Sequence, residues 1–224
     1  MHGDPETCRQ DVPRRRSVQA DQRRDVRMAQ DQGTETDTPV SAALLIIDMI
    51  NDMKFDEGDE LLGEMWAICD TVVRLRDEAA KADVPVIYVN DNYGEWHASP
   101  ADIVDYVRGT AGAPIAERLA TRPDDYFVIK PHVSGFYATS LPAILPRLGV
   151  SRLILTGVAA DICVLFTAAD AHMREYALWV PRDAVASNQA AHRDWALRIM
   201  TKSMGAETRA TNRLSLHEWL GGCD

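Results

Sequence analysis

Apolar and polar residues follow two rhythms along this chain. Ala42–Ile47 is a continuous apolar run closed by Asp48, the pattern of a strand buried on both faces. Leu61, Leu62, Met65, Ile68, Val72, Leu75 and Ala79 recur at helical spacing, predicting a helix to Lys81 with Asp59 as its cap. Pro85 opens a second strand, Val86–Val89, which ends at Asn90. A third, Tyr126–Ile129, ends at Lys130 and is halted by Pro131. The next helix is capped by Ser140 and carries Pro142 in its first turn, where a missing N–H costs nothing.

Leu153–Thr156 is the fourth predicted strand, and Gly157 follows it. A helix then starts near Asp161 and runs through Val164, Leu165, Ala168, Ala169 and Met173. Leu178–Val180 is a short strand stopped by Pro181, Trp195–Met204 a helix, Ala206–Thr211 a sixth strand and Ser215–Leu220 a last short helix. Strands alternating with helices make βαβ units. The expected fold is therefore α/β, a doubly wound parallel sheet of about six strands with helices on both faces.

Composition limits what such a domain does. Residues 1–38 lack Leu, Ile, Phe, Tyr and Trp, so they are expected to form a disordered tail, with 39–224 as the folded domain. Met28, within that tail, is a second candidate start. No run approaches the roughly 20 apolar residues of a membrane span, and no apolar signal segment opens the chain. A cytoplasmic location without membrane attachment is the expectation. The net charge is −10, and the body beyond residue 38 holds 17 basic against 26 acidic residues. Such a surface repels phosphate backbones, which argues against nucleic acid and for a small-molecule substrate.

The four cysteines, Cys8, Cys69, Cys163 and Cys223, form no Cys-x-x-Cys pair and are too sparse for a disulfide framework. Cys69 sits on a helical pattern beside Trp66, Val72 and Val73, as an apolar filler does. Cys163 differs, because it opens the helix after the fourth strand. Doubly wound sheets bind ligands beyond the carboxyl ends of their strands. Asp48, Asn90 and Lys130 end three strands, so all four side chains are expected on one edge. Unpaired N–H groups at a helix start favour thiolate, and a lysine ammonium beside it favours thiolate further. Asp48 is then a proton acceptor. Each residue also has a plainer use: a strand-end Asp caps turns, a lone Lys is solvated, and a small Cys fills a core.

Three ordered segments carry a resemblance that bears on this choice. Leu44-Leu-Ile-Ile-Asp-Met-Ile-Asn-Asp52, Val128-Ile-Lys130 with Ser134-Gly-Phe136 and Thr139-Ser-Leu141, and Gly157-Val-Ala-Ala-Asp-Ile-Cys163-Val resemble the motifs of the isochorismatase-like cysteine hydrolases. The resemblance implies a Rossmann-like sheet and an Asp48–Lys130–Cys163 triad. It also implies a cis Val158–Ala159 peptide, with the Ala159 and Cys163 N–H groups as the oxyanion hole. A homo-oligomer, dimer or tetramer, is implied in the same way.

The chain departs from the nicotinamidase branch. Asn90-Asp-Asn-Tyr-Gly-Glu-Trp-His97 lacks the Asp-x-His metal motif of that branch, since Tyr93 stands where the His would be. Zinc wants three or more well-placed protein ligands, so neither a metal nor any other cofactor is expected. His97 is then a rim or surface residue, and Asp161 a helix cap. Asn90, Trp96 and Phe136 are candidate substrate contacts. The expected activity is cysteine-dependent cleavage of a C–N bond in a small amide or ureido compound through a thioester. The alternatives are vinyl-ether hydrolysis of the isochorismatase type, which needs no thiol, and a redox-sensing thiol.

Overall fold

In the computed structural model, residues 42–96 and 98–221 are described. The expectations for the 1–38 tail, Cys8, His97 and Cys223 lie outside these residues. Five strands form one parallel sheet: β1 (Ala42–Ile47), β2 (Val86–Asp91), β3 (Tyr126–Lys130), β4 (Arg152–Gly157) and β5 (Ala177–Trp179). Their order is β3-β2-β1-β4-β5, so the three inner strands are covered on both faces and read as unbroken apolar runs. The helices are α1 (Gly58–Lys81), α2 (Pro100–Val107), α3 (Ala113–Arg118), α4 (Leu141–Arg147), α5 (Leu165–His172), α6 (Ala190–Met204) and α7 (Leu216–Trp219). A π-helical turn, Ala160–Val164, leads into α5.

Alternation along β1 divides the core in two. Leu44 and Ile46 pack with Met65, Cys69 and Val72 of α1 and with Leu216 of α7. Ala43, Leu45 and Ile47 pack on the other face with Leu145 of α4, Ala168 of α5 and Leu197 of α6. This is the expected doubly wound α/β architecture, with one strand fewer.

The sixth predicted strand, Ala206–Thr211, reduces to a single bridge between Glu207 and Trp179. Val180 N–H donates to the Glu207 carbonyl (2.8 Å), and Glu207 N–H donates to the Leu178 carbonyl (2.9 Å). The Glu207 carboxylate then accepts from the N–H groups of Thr208 and Arg209 at 2.9 Å each, and the Asp183 carboxylate takes the N–H of Thr211. Those side chains occupy the donors a ladder would need. Two short helices, α2 and α3, lie between β2 and β3, where no element is predicted above. At the start of α1, Glu57 occupies the cap position with φ 67° and no capping bond, and the predicted cap, Asp59, lies in the first turn.

Gly157 ends β4 at φ +105°, and a Cβ there would stand 2.0 Å from the Ile47 carbonyl oxygen. Gly157→Ala is therefore expected to wedge β4 from β1. The expected loss is about 3 kcal/mol or more, a fall of about 6–12 °C in thermal midpoint for a domain this size. Differential scanning calorimetry measures it, and a midpoint within 2 °C of wild type would contradict the close approach.

Candidate active site

Between β1 and β4 the chain reverses the direction in which it adds strands, which opens a crevice at their carboxyl ends. Asp48 follows β1 directly, in the left-handed region at φ 51°, a conformation Asp tolerates better than most residues. Its backbone N–H donates to the Val89 carbonyl (2.9 Å), which aims the carboxylate across the end of β2. Lys130 closes β3, two strands from β1 and so roughly 10 Å away at the usual strand spacing. A four-carbon stem spans that gap. Lys130 shares a strand face with Val128 and is 1% exposed.

The three predicted catalytic residues meet. Lys130 Nζ lies 2.8 Å from Asp48 Oδ2 and donates to Cys163 Sγ at 3.4 Å. Asp48 Oδ1 accepts the Asp91 N–H at 2.8 Å, and Asp91 Oδ2 lies 3.5 Å from the same ammonium. The lysine thus faces two carboxylates and the thiol.

Cys163 lies in the π-helical turn, packed against the α4–α6 side of the core. The turn is pinned at its entrance. Val158 N–H donates to the Ile47 carbonyl (3.0 Å) and Ala160 N–H to the Ala186 carbonyl (2.7 Å). The Ala159 N–H between them makes no backbone hydrogen bond among the described residues. Cys163 belongs to the first turn, where N–H groups have no preceding helical carbonyls to meet. The Val158–Ala159 peptide is cis. Asp161 does not cap this turn: the cap position is Ala159, and Asp161 accepts from Ser187 Oγ (2.6 Å) and lies 3.5 Å from His192 Nδ1. Its carboxylate ties the Cys163 turn to α6 and the segment leading into it.

Electrostatics differ from the thiolate expectation. Burial, then the Asp48 charge, push the Cys163 thiol up, and the Lys130 ammonium only partly offsets them. Burial likewise lifts the Asp48 carboxyl above the ordinary aspartate value of 3.8, against the pull of Lys130. Burial alone would lower Lys130, but Asp48 and Cys163 outweigh it and hold the ammonium above the ordinary lysine range. Burial and the Asp48 charge thus oppose thiolate at Cys163, while the Lys130 ammonium favours it.

A cavity of about 390 Å³ opens over Cys163, with Asp48, Asp91 and Ala159 in its wall. Lys54, Phe55, Tyr93 and Tyr106 also line it. Lys54, Phe55 and Tyr106 were invisible to strand-end reasoning, and a signal existed only for Tyr106. Ser99-Pro-Ala-Asp102 is a capping box, realised at the start of α2, and it announces the helix that carries Tyr106. The predicted substrate contacts fare differently. Asn90 is 2% exposed and its Oδ1 accepts the Ile50 N–H (3.2 Å), so it holds the β1–α1 loop instead of facing the cavity. Phe136 is 3% exposed and packed in the α4–α6 core, with Arg174 over its ring at 4.8 Å. Trp96 is 74% exposed and outside the cavity wall. Strand-end position fixed where these residues lie but not where their side chains point.

Asp91 spends its carboxylate on the Tyr93 N–H (2.8 Å) and on Lys130, and among the described residues no cluster of three His, Cys, Asp or Glu has metal-binding geometry. Cys69 belongs to the opposite face of the sheet from Cys163. It therefore lies out of reach as a resolving thiol.

Residues 42–212 match the isochorismatase domain, and the chain belongs to the isochorismatase family of hydrolases. Among its relatives is the uncharacterized isochorismatase family protein YaaI of Bacillus subtilis (strain 168), 41% identical over 165 residues, 74% of this chain and 91% of that protein. The fold is similar to that of N-carbamoylsarcosine amidase from Thermoplasma acidophilum, with a TM-score of 0.60 and 27% identity over 79% of this chain and 99% of that one. It is also similar to nicotinamidase PncA from Bacillus subtilis, with a TM-score of 0.61 and 26% identity over 76% of this chain and 99% of that one.

Proposed function

We propose that this hydrolase cleaves a C–N bond of a small amide or ureido compound through a thioester on Cys163. The observation that carries the reading is the contact of the buried Lys130 Nζ with both Asp48 (2.8 Å) and Cys163 Sγ (3.4 Å), two residues that share one cavity wall. Two structural relatives named as amidases support the bond type. The thiol proton passes to Asp48 as sulfur attacks the carbonyl carbon, so thiolate forms only with substrate in place. The N–H groups of Ala159 and Cys163 receive the oxyanion. Asp48 returns the proton to the leaving nitrogen, the C–N bond breaks, and ammonia or an amine departs. Asp48 next takes a proton from water, whose oxygen attacks the thioester. The carbon–sulfur bond breaks and the thiol regains its proton. Throughout, Lys130 balances charge on Asp48 and sulfur.

A panel of amides and ureides scored by ammonia release tests the reading. Turnover of at least one compound, absent in Cys163→Ala, is expected. Wild-type silence across the panel, or ammonia release surviving Cys163→Ala, overturns it.

The pH profile carries a sign. Asp48 accepts the thiol proton only when ionised, and its pKa is raised above 3.8. kcat/KM is therefore expected to fall on acidification with a midpoint above the ordinary aspartate value of 3.8, as Asp48 binds a proton and loses its base function. An acid limb at or below 3.8 would contradict this assignment of the base.

A further inference from the structure

Four charged side chains line the cavity over Cys163: Asp48, Asp52, Asp91 and Lys54. Each carboxylate already has donors. Asp48 accepts from the Asp91 N–H (2.8 Å) and pairs with Lys130 (2.8 Å). Asp91 accepts from the Tyr93 N–H (2.8 Å) and faces Lys130 at 3.5 Å. Asp52 accepts from the Lys54 N–H at 3.1 Å. Lys54 Nζ has no carboxylate within ion-pair distance among the described residues.

The ammonium is nevertheless placed. It stands 5.7 Å over the Tyr106 ring, and Tyr106 stacks on Tyr93 with centroids 4.8 Å apart. Tyr93 Oη donates to the Ile50 carbonyl (2.5 Å), and Ile50 N–H donates to the buried Asn90 side chain (3.2 Å). An aromatic wall anchored on the end of β2 thus ends in a cation at the cavity. A cation over an aromatic face keeps its free hydrogens for an anionic acceptor.

We propose that Lys54 reads a carboxylate on the substrate, so that the substrate class is a compact amide or ureide bearing an acid group remote from the scissile carbonyl. The proposal rests on the amidase reading above and narrows it. A cationic substrate would meet Lys54 on the aromatic face that would otherwise hold it. About 390 Å³ is near the lower end of ordinary ligand sites, which fits a short acid and not a polymer end.

The test separates recognition from chemistry. Succinamate and 3-ureidopropionate are paired with 4-oxopentanamide and 1-(3-oxobutyl)urea, in which a methyl ketone replaces the carboxylate. Binding is measured by calorimetry on the full-length Cys163→Ala protein, with and without Lys54→Gln, while ammonia release by the Cys163-intact protein is scored separately. At least one acid is expected to bind about fivefold to tenfold more tightly than its ketone partner, a preference that Lys54→Gln erases and 0.5 M salt weakens. Equal binding of acid and ketone, no detectable binding of either acid at 10 mM, or a preference that survives Lys54→Gln overturns the proposal. Carboxylate preference without ammonia release from any compound overturns the amidase reading and leaves the anion site standing.

Discussion

Cys163→Ala is expected to lower kcat/KM for amide cleavage by at least about 10⁴-fold, roughly 5.5 kcal/mol of transition-state stabilisation. The reason is chemical: without sulfur no thioester forms, and Asp48 must activate water directly against an amide. The fold should survive, because Cys163 is only partly buried and the turn around it is held by the backbone bonds from Val158 and Ala160. A thermal midpoint within a few degrees of wild type, measured beside the kinetics, separates lost chemistry from lost structure. Residual activity within tenfold of wild type would remove Cys163 from the nucleophile's role.

Lys130→Met should damage both stability and activity. The methionine fills a similar volume but leaves Asp48 buried beside Asp91 with no cation. Stranding one partner of a buried pair costs about 3–5 kcal/mol. Asp48 then has a further reason to bind a proton, and kcat/KM should drop about 10³-fold or more. A double variant distinguishes the causes. Asp48→Asn with Lys130→Met removes the stranded charge, so urea denaturation should show it more stable than Lys130→Met alone while activity stays lost. A double variant no more stable than the single would show that Lys130 is not balancing Asp48.

These expectations rest on a framework largely legible in the sequence. Ala42–Ile47 matches β1 residue for residue, because a strand buried on both faces is apolar at every position. Pro85 and Pro131 bracket β2 and β3 where a missing donor and a fixed φ allow no ladder to continue. The strand-end rule brought Asp48, Lys130 and Cys163 together without reference to side-chain detail, since topology alone decides which edge they share.

What escaped the sequence depends on packing or on very short range. α2 and α3 have eight and six residues, too few turns for a periodic stripe to emerge. Glu207 lies in a segment with strand-like spacing, yet its own carboxylate competes for the donors that would extend the sheet. Phe136 sits two residues from Ser134 in the motif that resembles the lysine segment, but it points into the α4–α6 core. The resting state of the thiol was least legible. A helix start and a lysine both favour thiolate, and only the enclosed geometry shows burial and Asp48 prevailing over them. In the proposed mechanism that balance matters, since sulfur is then activated by substrate binding and proton transfer instead of waiting as an anion.

The claim at the centre is a covalent intermediate on one sulfur. Mixing enzyme with an amide substrate identified in the ammonia-release panel, quenching in acid within the first turnovers and mapping the peptides by mass spectrometry tests it most directly. An acyl adduct on Cys163 is expected, discharged by hydroxylamine and absent in Cys163→Ala. Steady ammonia release with Cys163 never acylated, or with the acyl group on another residue, would contradict it.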